Sequence, residues 1–214
     1  MKVGVLGSGG VGQTLAAGFL QHGHEVMIGS REPARLAEWQ KTHPQAQAGR
    51  PSETAAFGEV VVLAVKGTAS AAALRDAGKD NLSGKVVIDA TNPIADAPPD
   101  HGVLQFFTTY NESLMEQLQR KFPEARLVKA FNSVGSGGFV NPGYAGGVRP
   151  TMFICGNDDA AKKTVGGILD QFGWETADMG SVEVARAIEP LCMLWCVLGF
   201  TKGEWTHAFK LLRK

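Results

Sequence analysis

Residues 2–12 read KVGVLGSGGVG, a short apolar run that is followed at once by a glycine-rich turn. The run is typical of a buried parallel strand. The turn has the spacing G-x-G-x-x-G, formed by Gly7, Gly9 and Gly12. The first glycine of such a turn permits a tight bend, the second lets a pyrophosphate approach the backbone, and the third lets the next helix pack on the strand.

The residues on either side of the turn supply the context that this spacing needs. Apolar residues recur at helical spacing after it and predict a helix from about residue 10 to residue 22. Residues 24–29, HEVMIG, read as a second strand. The N-terminus of the helix would offer free N–H groups and the positive end of its dipole to a phosphate. The alternative is a glycine-rich turn that binds nothing. We predict a dinucleotide site that includes Gly7, Ser8, Gly9, Gly10, Val11 and Gly12.

The end of the second strand indicates which dinucleotide binds. An NAD site usually has Asp or Glu there for the ribose 2′-hydroxyl, whereas an NADP site needs cations and hydroxyls for the 2′-phosphate. This chain has Ser30 and Arg31 there, with Arg35 one helical turn further on. Glu32 can point to solvent, and Arg31 can grip a phosphate with paired donors. The two arginines could also be ordinary surface charges. The sequence predicts NADP(H).

Composition narrows the class of protein. The 214 residues carry 21 basic and 21 acidic side chains, so nothing indicates a nucleic-acid surface. The chain has only three cysteines, with no metal-ligand spacing, and we expect no metal site. The first strand begins too early for a signal peptide, and the apolar segment 191–200 is too short to span a bilayer. We expect a cytoplasmic protein without a membrane or nucleic-acid partner.

Strands and helices alternate along the chain, which predicts a doubly wound, mainly parallel α/β sheet of Rossmann type. We expect a single domain over 1–214, with a dinucleotide-binding core at 1–150 and strands and helices at 151–214 that complete the fold as a small C-terminal helical lobe. In this last part we predict a long apolar helix over 182–200, opened or kinked at Pro190, and a final helix over 204–212.

Ligands of such sheets lie at the carboxyl ends of the strands. Three further strand ends should therefore border the nicotinamide half of the cofactor. Lys66 could bind a cofactor phosphate or an acidic substrate group, or it could simply be solvated. We expect no catalytic triad, and no residue is assigned a catalytic role. The cofactor-binding residues predicted at these strand ends are Ala64, Val65, Lys66, Thr91, Asn92, Pro93 and Asn132.

Several short stretches together resemble one family, the NADP oxidoreductases that depend on the deazaflavin coenzyme F420. They are the opening glycine turn, HEV and GSR in residues 24–31, KAFN at 129–132, CGNDDAAKK at 155–163 and ARAIEPL at 185–191. The cytosolic reductase domain of the STEAP metalloreductases is similar to the same family. In this resemblance the family's phosphate-binding serine and arginine fall on Ser30 and Arg31, and its next basic residue on Arg35. Two family-typical positions near the acceptor differ here and hold Lys66 and Asn132.

The resemblance implies hydride exchange between NADPH and a flavin-like ring, with F420, FMN or FAD as the second ligand. It also implies a single Rossmann domain with a small C-terminal lobe, often in a homodimer. Two other hypotheses stay open. One is an NADP-dependent reductase of a small carbonyl or imine, although such enzymes usually carry a long helical C-terminal domain with a catalytic lysine. The other is a non-catalytic redox sensor that binds NADPH and a partner protein.

Overall fold

The computed structural model describes all 214 residues, and its main feature is a parallel sheet of six strands. Their order is β3-β2-β1-β4-β5-β6. The chain therefore begins with a central strand, adds β2 and β3 on one side of it, and then adds β4, β5 and β6 on the other side. This arrangement confirms the predicted Rossmann-type fold. The strands are β1 (Lys2–Leu6), β2 (Glu25–Gly29), β3 (Gln47–Gly49), β4 (Val60–Leu63), β5 (Val86–Asp89) and β6 (Arg126–Lys129).

Helices cover both faces of the sheet, and each face has its own apolar core. Val3 and Val5 of β1 belong to the larger core, whereas Leu6 belongs to the smaller one. This alternation follows from the two-residue period of a strand. The helices are α1 (Gly10–Gln21), α2 (Ala37–Thr42), α3 (Pro51–Phe57), α4 (Ser70–Ala77), α5 (Lys79–Leu82), α6 (Leu114–Lys121), α7 (Asp159–Gln171) and α8 (Ala185–Lys202).

The C-terminal strands form a separate two-stranded parallel sheet. Its members are β7 (Thr151–Ile154) and β8 (Glu175–Asp178). A single antiparallel bridge between Lys129 and Cys155 connects this sheet to the end of β6. The helix α7 follows β7 with Asp158 as its N-cap, whose carboxylate accepts a hydrogen bond from the N–H of Ala161 at 2.7 Å.

The predicted final helix over 204–212 is wrong. Gly203 ends α8 in the left-handed conformation, and the residues after it form no regular helix. The carbonyl of Phe209 instead accepts a hydrogen bond from the N–H of Thr151 at 2.8 Å, beside the edge of β7. Trp195 donates its indole N–H to the carbonyl of His207 at 2.7 Å. These tertiary hydrogen bonds replace the bonds of a local helix.

The helix α8 is more continuous than predicted and ends two residues later, at Lys202. It runs through Pro190 without interruption, and a 3-10 turn over Val182–Val184 precedes it. The segment Val182–Lys202 is long and apolar enough to cross a membrane by length and composition, and only 33% of its most apolar stretch is buried. The argument that this part of the chain is too short for a bilayer is therefore wrong, because 191–200 is only part of one helix. Core helices of soluble proteins meet the same criterion of length and composition.

Candidate functional site

A cavity of about 840 Å³ lies at the carboxyl ends of β1, β2, β4 and β5. The turn after each of these strands contributes to its wall, as expected for a ligand site of this fold. Most of the residues predicted from the sequence line it. They are Gly7, Ser8, Gly9, Gly10, Val11, Ser30, Arg31, Arg35, Ala64, Val65, Lys66, Thr91 and Asn92. Gly12, Pro93 and Asn132 do not line the cavity.

The three glycines of the first turn differ in what surrounds them. A Cβ on Gly7 would lie 2.1 Å from the carbonyl oxygen of Ala64, and one on Gly12 would lie 1.9 Å from the carbonyl oxygen of Gly7. Gly7 also has a positive φ of 135°. A Cβ on Gly9 would meet nothing within 4 Å and would project into open space. Gly7 and Gly12 therefore allow close packing of the backbone, whereas Gly9 leaves room for a ligand.

The N-terminus of α1 has the properties of an anion site. Its N-cap is Gly9, no side chain caps it, and its first turn contains no acidic residue. Gln13 donates its amide to the carbonyl of Ser8 at 2.9 Å and so fixes the turn. The N–H groups at this helix end thus remain available beside the cavity, where the helix dipole favours a phosphate.

The turn after β2 presents one cation without a protein partner. Arg31 lines the cavity, and no hydrogen bond or ion pair engages its guanidinium. Arg35 instead forms an ion pair with Glu32 at 2.8 Å, so Glu32 does not simply point to solvent. The hydroxyl of Ser30 accepts a hydrogen bond from the N–H of Glu32 at 3.1 Å and stabilises the turn. Arg31 and Ser30 have the chemistry that a ribose 2′-phosphate requires.

At the opposite end, the wall combines an ion pair with apolar side chains. Lys66 lies 3.5 Å from Asp96, and their side chains are 81% and 71% exposed. Ile94 and Ala95 line the cavity next to Asp96. Sequence reasoning assigned Lys66 to the site but not Ile94, Ala95 or Asp96, because these three lie in a loop without a recognisable motif. It also missed wall residues at the start of α3 and in and just before α4, namely Pro51, Ala69, Ala72, Ala73 and Asp76.

Asn132 lies behind the cavity wall. It is 3% exposed and donates its amide to Asn92 Oδ1 at 3.2 Å and to the carbonyl of Ile188 at 3.0 Å. Asn92 returns a hydrogen bond from its own amide to the carbonyl of Asn132 at 2.8 Å. Pro93 is buried, and its carbonyl accepts a hydrogen bond from the N–H of Phe107 at 2.9 Å. Both residues support the wall and do not form its surface.

A buried charge cluster under the same wall was missed entirely. Lys129 is fully buried, and its ammonium lies 2.6 Å from Asp89 and 3.0 Å from Glu189. Burial alone would lower the pKa of Lys129, but the two carboxylates more than offset this effect and raise the pKa above its ordinary value. A lysine and an aspartate at the ends of neighbouring buried strands were the available signal.

Two residues of α8 attach this helix to the start of α6. Glu189 accepts hydrogen bonds from the N–H groups of Leu114 and Met115 at 2.9 and 3.0 Å. Arg186 donates to Glu116, with its Nε 2.9 Å from Oε2. The bond from Arg186 is the main reason that the pKa of Glu116 falls to about 2. Because residues three apart share a helix face, one side of α8 makes both attachments.

Fold and site together define a class of protein. A Rossmann sheet, an open glycine turn at an uncapped helix end and an unpaired arginine after the second strand are the features of an NADP-dependent oxidoreductase. Comparison with known proteins agrees with this class. Residues 2–93 match the family described as NADP oxidoreductase, coenzyme F420-dependent.

Three relatives illustrate the similarity. A provisionally named F420-dependent NADP reductase from Arthrobacter sp. FB24 has a crystal structure that superposes with a TM-score of 0.93, at 38% identity and with 100% of both chains covered. The F420-dependent NADP reductase of Methanocaldococcus jannaschii is 28% identical over 91% of this chain and 90% of its own length. Metalloreductase STEAP3 of Rattus norvegicus is 33% identical over 89% of this chain.

The chain belongs to the family of coenzyme F420-dependent NADP oxidoreductases. The resemblance seen in the sequence is thereby confirmed, and the protein is an NADP-dependent oxidoreductase. The chain spans only 36% of the length of the rat metalloreductase, so the similarity to that protein is limited to one of its parts.

Proposed function

We propose that the protein exchanges hydride between NADP(H) and coenzyme F420. The observation that carries the proposal is the single cavity that extends from the unpaired Arg31 to the wall at Thr91 and Asn92. It offers a phosphate-binding corner at one end and a polar and apolar wall at the other. The relative from Methanocaldococcus jannaschii, which aligns over 90% of its length, is named an F420-dependent NADP reductase and supports F420 as the acceptor.

The residues of the chain fit the NADP(H) molecule. The open space at Gly9 and the free N–H groups of α1 suit the pyrophosphate, and Ser30 and Arg31 suit the 2′-phosphate. When bound, the nicotinamide and deazaflavin rings would supply the redox chemistry, which is the transfer of a hydride. The contribution of the protein is therefore to hold both rings and to exclude water.

The apolar side chains of Ile94 and Ala95 support a planar acceptor at the nicotinamide end. The cation of Lys66 stands beside them and is held only by an exposed ion pair with Asp96. Such a pair is weak in water, so an anionic group on the acceptor can displace Asp96 at little cost. We therefore assign Lys66 to the acceptor and not to the phosphates of NADP(H).

The proposal is tested by mixing the purified protein with NADPH and, in separate reactions, with F420, FMN, FAD, a ferric chelate and a small cyclic imine. Loss of nicotinamide absorbance with F420, at a rate well above that of the other acceptors, is the expected result. Faster turnover with a flavin or with the imine would refute F420 as the acceptor. Tight NADPH binding without turnover of any acceptor would favour a redox sensor.

We further propose that the protein is a cytoplasmic homodimer. Its three cysteines are free, which suits a reducing compartment. Leu194 and Phe200 of α8 are 59% and 46% exposed, and large apolar side chains of this kind suit a contact with a second copy. Light scattering coupled to size-exclusion chromatography should give twice the mass of 22.7 kDa, and a monomer at micromolar concentration would refute the dimer.

A further inference from the structure

We propose that Lys129 and Asn132 are positioning residues for the nicotinamide half of NADP(H). They hold two consecutive residues of the cavity wall, Thr91 and Asn92, in a fixed position relative to α8. Neither residue lines the cavity, so neither contacts the cofactor directly. The inference rests on the assignment of NADP(H) to this cavity, and it goes beyond that assignment because it names the side chains that shape its nicotinamide end.

Lys129 fixes the backbone of Thr91. Its ammonium donates a hydrogen bond to the carbonyl of Thr91 at 2.9 Å. Asp89 fixes the same residue from the other side, because its Oδ1 accepts from the N–H of Thr91 at 2.9 Å and from its hydroxyl at 2.6 Å. All three backbone and side-chain polar groups of Thr91 are thus engaged within a buried cluster. Such a residue has little freedom to move relative to β5 and β6.

Asn132 fixes the side chain of Asn92. The two amides exchange hydrogen bonds, which leaves the orientation of Asn92 determined by its partner. The preceding residue, Phe131, has a φ of 62° although it is not a glycine. Backbone strain of this kind persists only where the surrounding structure imposes it, and it turns the chain after β6 so that Asn132 meets Asn92.

Both positioning residues are anchored on consecutive residues of α8. Glu189 holds the ammonium of Lys129, and the carbonyl of Ile188 holds the amide of Asn132. The connection therefore runs from α8 through two buried side chains to two neighbouring wall residues. A packing defect alone would loosen the protein generally. This arrangement instead predicts a defect confined to one end of the cavity.

The adenosine end is held independently. The N–H of Ser30 donates to the carbonyl of Gly49 at 3.0 Å, and no contact of Ser30 involves Lys129 or Asn132. The compound 2′,5′-ADP carries only the adenosine half of NADP(H). Its affinity should therefore not respond to a change at Asn132, whereas the affinity of NADPH should.

The decisive experiment compares two asparagine substitutions by isothermal titration calorimetry. We expect Asn132→Ala to leave the Kd of 2′,5′-ADP within about twofold of wild type and to raise the Kd of NADPH about five- to tenfold, as for a lost hydrogen-bonded contact. The control is Asn157→Ala. Asn157 accepts a hydrogen bond from the N–H of Val182 at 2.9 Å, just before α8; it does not line the cavity and makes no hydrogen bond with Thr91 or Asn92. The control should change neither constant.

The inference is overturned if Asn132→Ala changes the two Kd values in proportion, or if its NADPH affinity equals that of wild type. It is also overturned if Asn157→Ala reproduces the loss of NADPH affinity. None of these measurements needs an acceptor, so they decide the inference even if F420 is not reduced. Where the wild type turns over an acceptor, Asn132→Ala should also lower kcat about 10- to 100-fold, as expected for misplaced rings.

Lys129→Met is the second variant and tests the other half of the connection. Provided that circular dichroism shows a folded protein, we expect this variant also to raise the Kd of NADPH and to leave the Kd of 2′,5′-ADP nearly unchanged. If this variant does not fold, the result for Asn132→Ala decides alone. A folded Lys129→Met protein with NADPH affinity equal to that of wild type would refute the role of Lys129.

Discussion

Replacement of Arg31 by alanine should change the choice of cofactor more than the stability of the protein. The guanidinium has no partner in the protein, so its removal breaks no internal ion pair and leaves no buried charge. A charge-assisted hydrogen bond to the 2′-phosphate contributes about 1.5–3 kcal/mol. This free energy corresponds to an increase in the Kd of NADPH of about 10- to 150-fold. NADH lacks the phosphate, and its Kd should hardly change.

The assay is a titration of wild type and Arg31→Ala with NADPH and NADH by protein fluorescence or calorimetry. The matched control is Arg35→Ala, one helical turn away, where the arginine is already engaged by Glu32. Its effect on NADPH should be smaller, because the phosphate must compete with that carboxylate. Equal weakening of NADPH and NADH by Arg31→Ala would refute the reasoning. So would a larger effect of Arg35→Ala than of Arg31→Ala on NADPH.

Three further predictions follow from the geometry. Gly9→Val should abolish binding of both NADPH and NADH without loss of the folded state, because its side chain would fill the open space of the turn; retained tight binding by calorimetry would contradict this role. Lys129→Met should lower the free energy of unfolding in urea by about 3–5 kcal/mol, since it leaves two buried carboxylates unpaired; a loss below about 1 kcal/mol would contradict the buried cluster. Arg186 lowers the pKa of Glu116 from 4.5 to about 2, so this carboxylate stabilises the fold above its ordinary pKa and the contribution disappears as pH falls towards the lowered one. Because Arg186 is partly exposed, the contribution should be about 1–3 kcal/mol. When the free energy of unfolding is measured in urea at several pH values, Glu116→Gln should reduce its loss at acid pH by that amount; an unchanged loss would refute the prediction.

The sheet and the glycine turn could be predicted because local sequence determines them. Each strand of a doubly wound sheet is buried on both faces and appears as a short apolar run, as in β1 and β4. Gly12 is required by its contact with Gly7 inside the same strand–turn–helix unit, and Gly7 has a positive φ of 135° in that turn, so their spacing can be recognised from local sequence. The contact of Gly7 with the carbonyl of Ala64, after β4, adds a requirement from a distant segment. For the same reason Ser30 and Arg31 could be placed at the cavity from their position after β2.

The parts that could not be predicted depend on contacts between distant segments. The residues after Gly203 have a composition that suits a helix, but their carbonyls instead accept hydrogen bonds from Trp195, on the preceding helix, and from Thr151, which is far away in the sequence. The ion pair of Lys66 with Asp96 joins two loops and has no local pattern. Asn132 was placed at the correct edge of the sheet, but which side of the wall it occupies depends on α8.

The stretch at 185–191, part of the resemblance seen in the sequence, contributes no residue to the cavity surface. Arg186 and Glu189 project from the same face of α8 and both engage the start of α6, while Glu189 also neutralises the lysine beneath the cavity wall. A pair at this spacing therefore sets the position of two structural elements and of the wall between them. Its presence supports the shape of the nicotinamide end, but it carries no information on the acceptor. Under the proposed function, the choice of acceptor depends on residues such as Lys66 and Ile94, which line the cavity from loops. Substitution at these positions should alter the choice of acceptor and leave NADPH affinity unchanged.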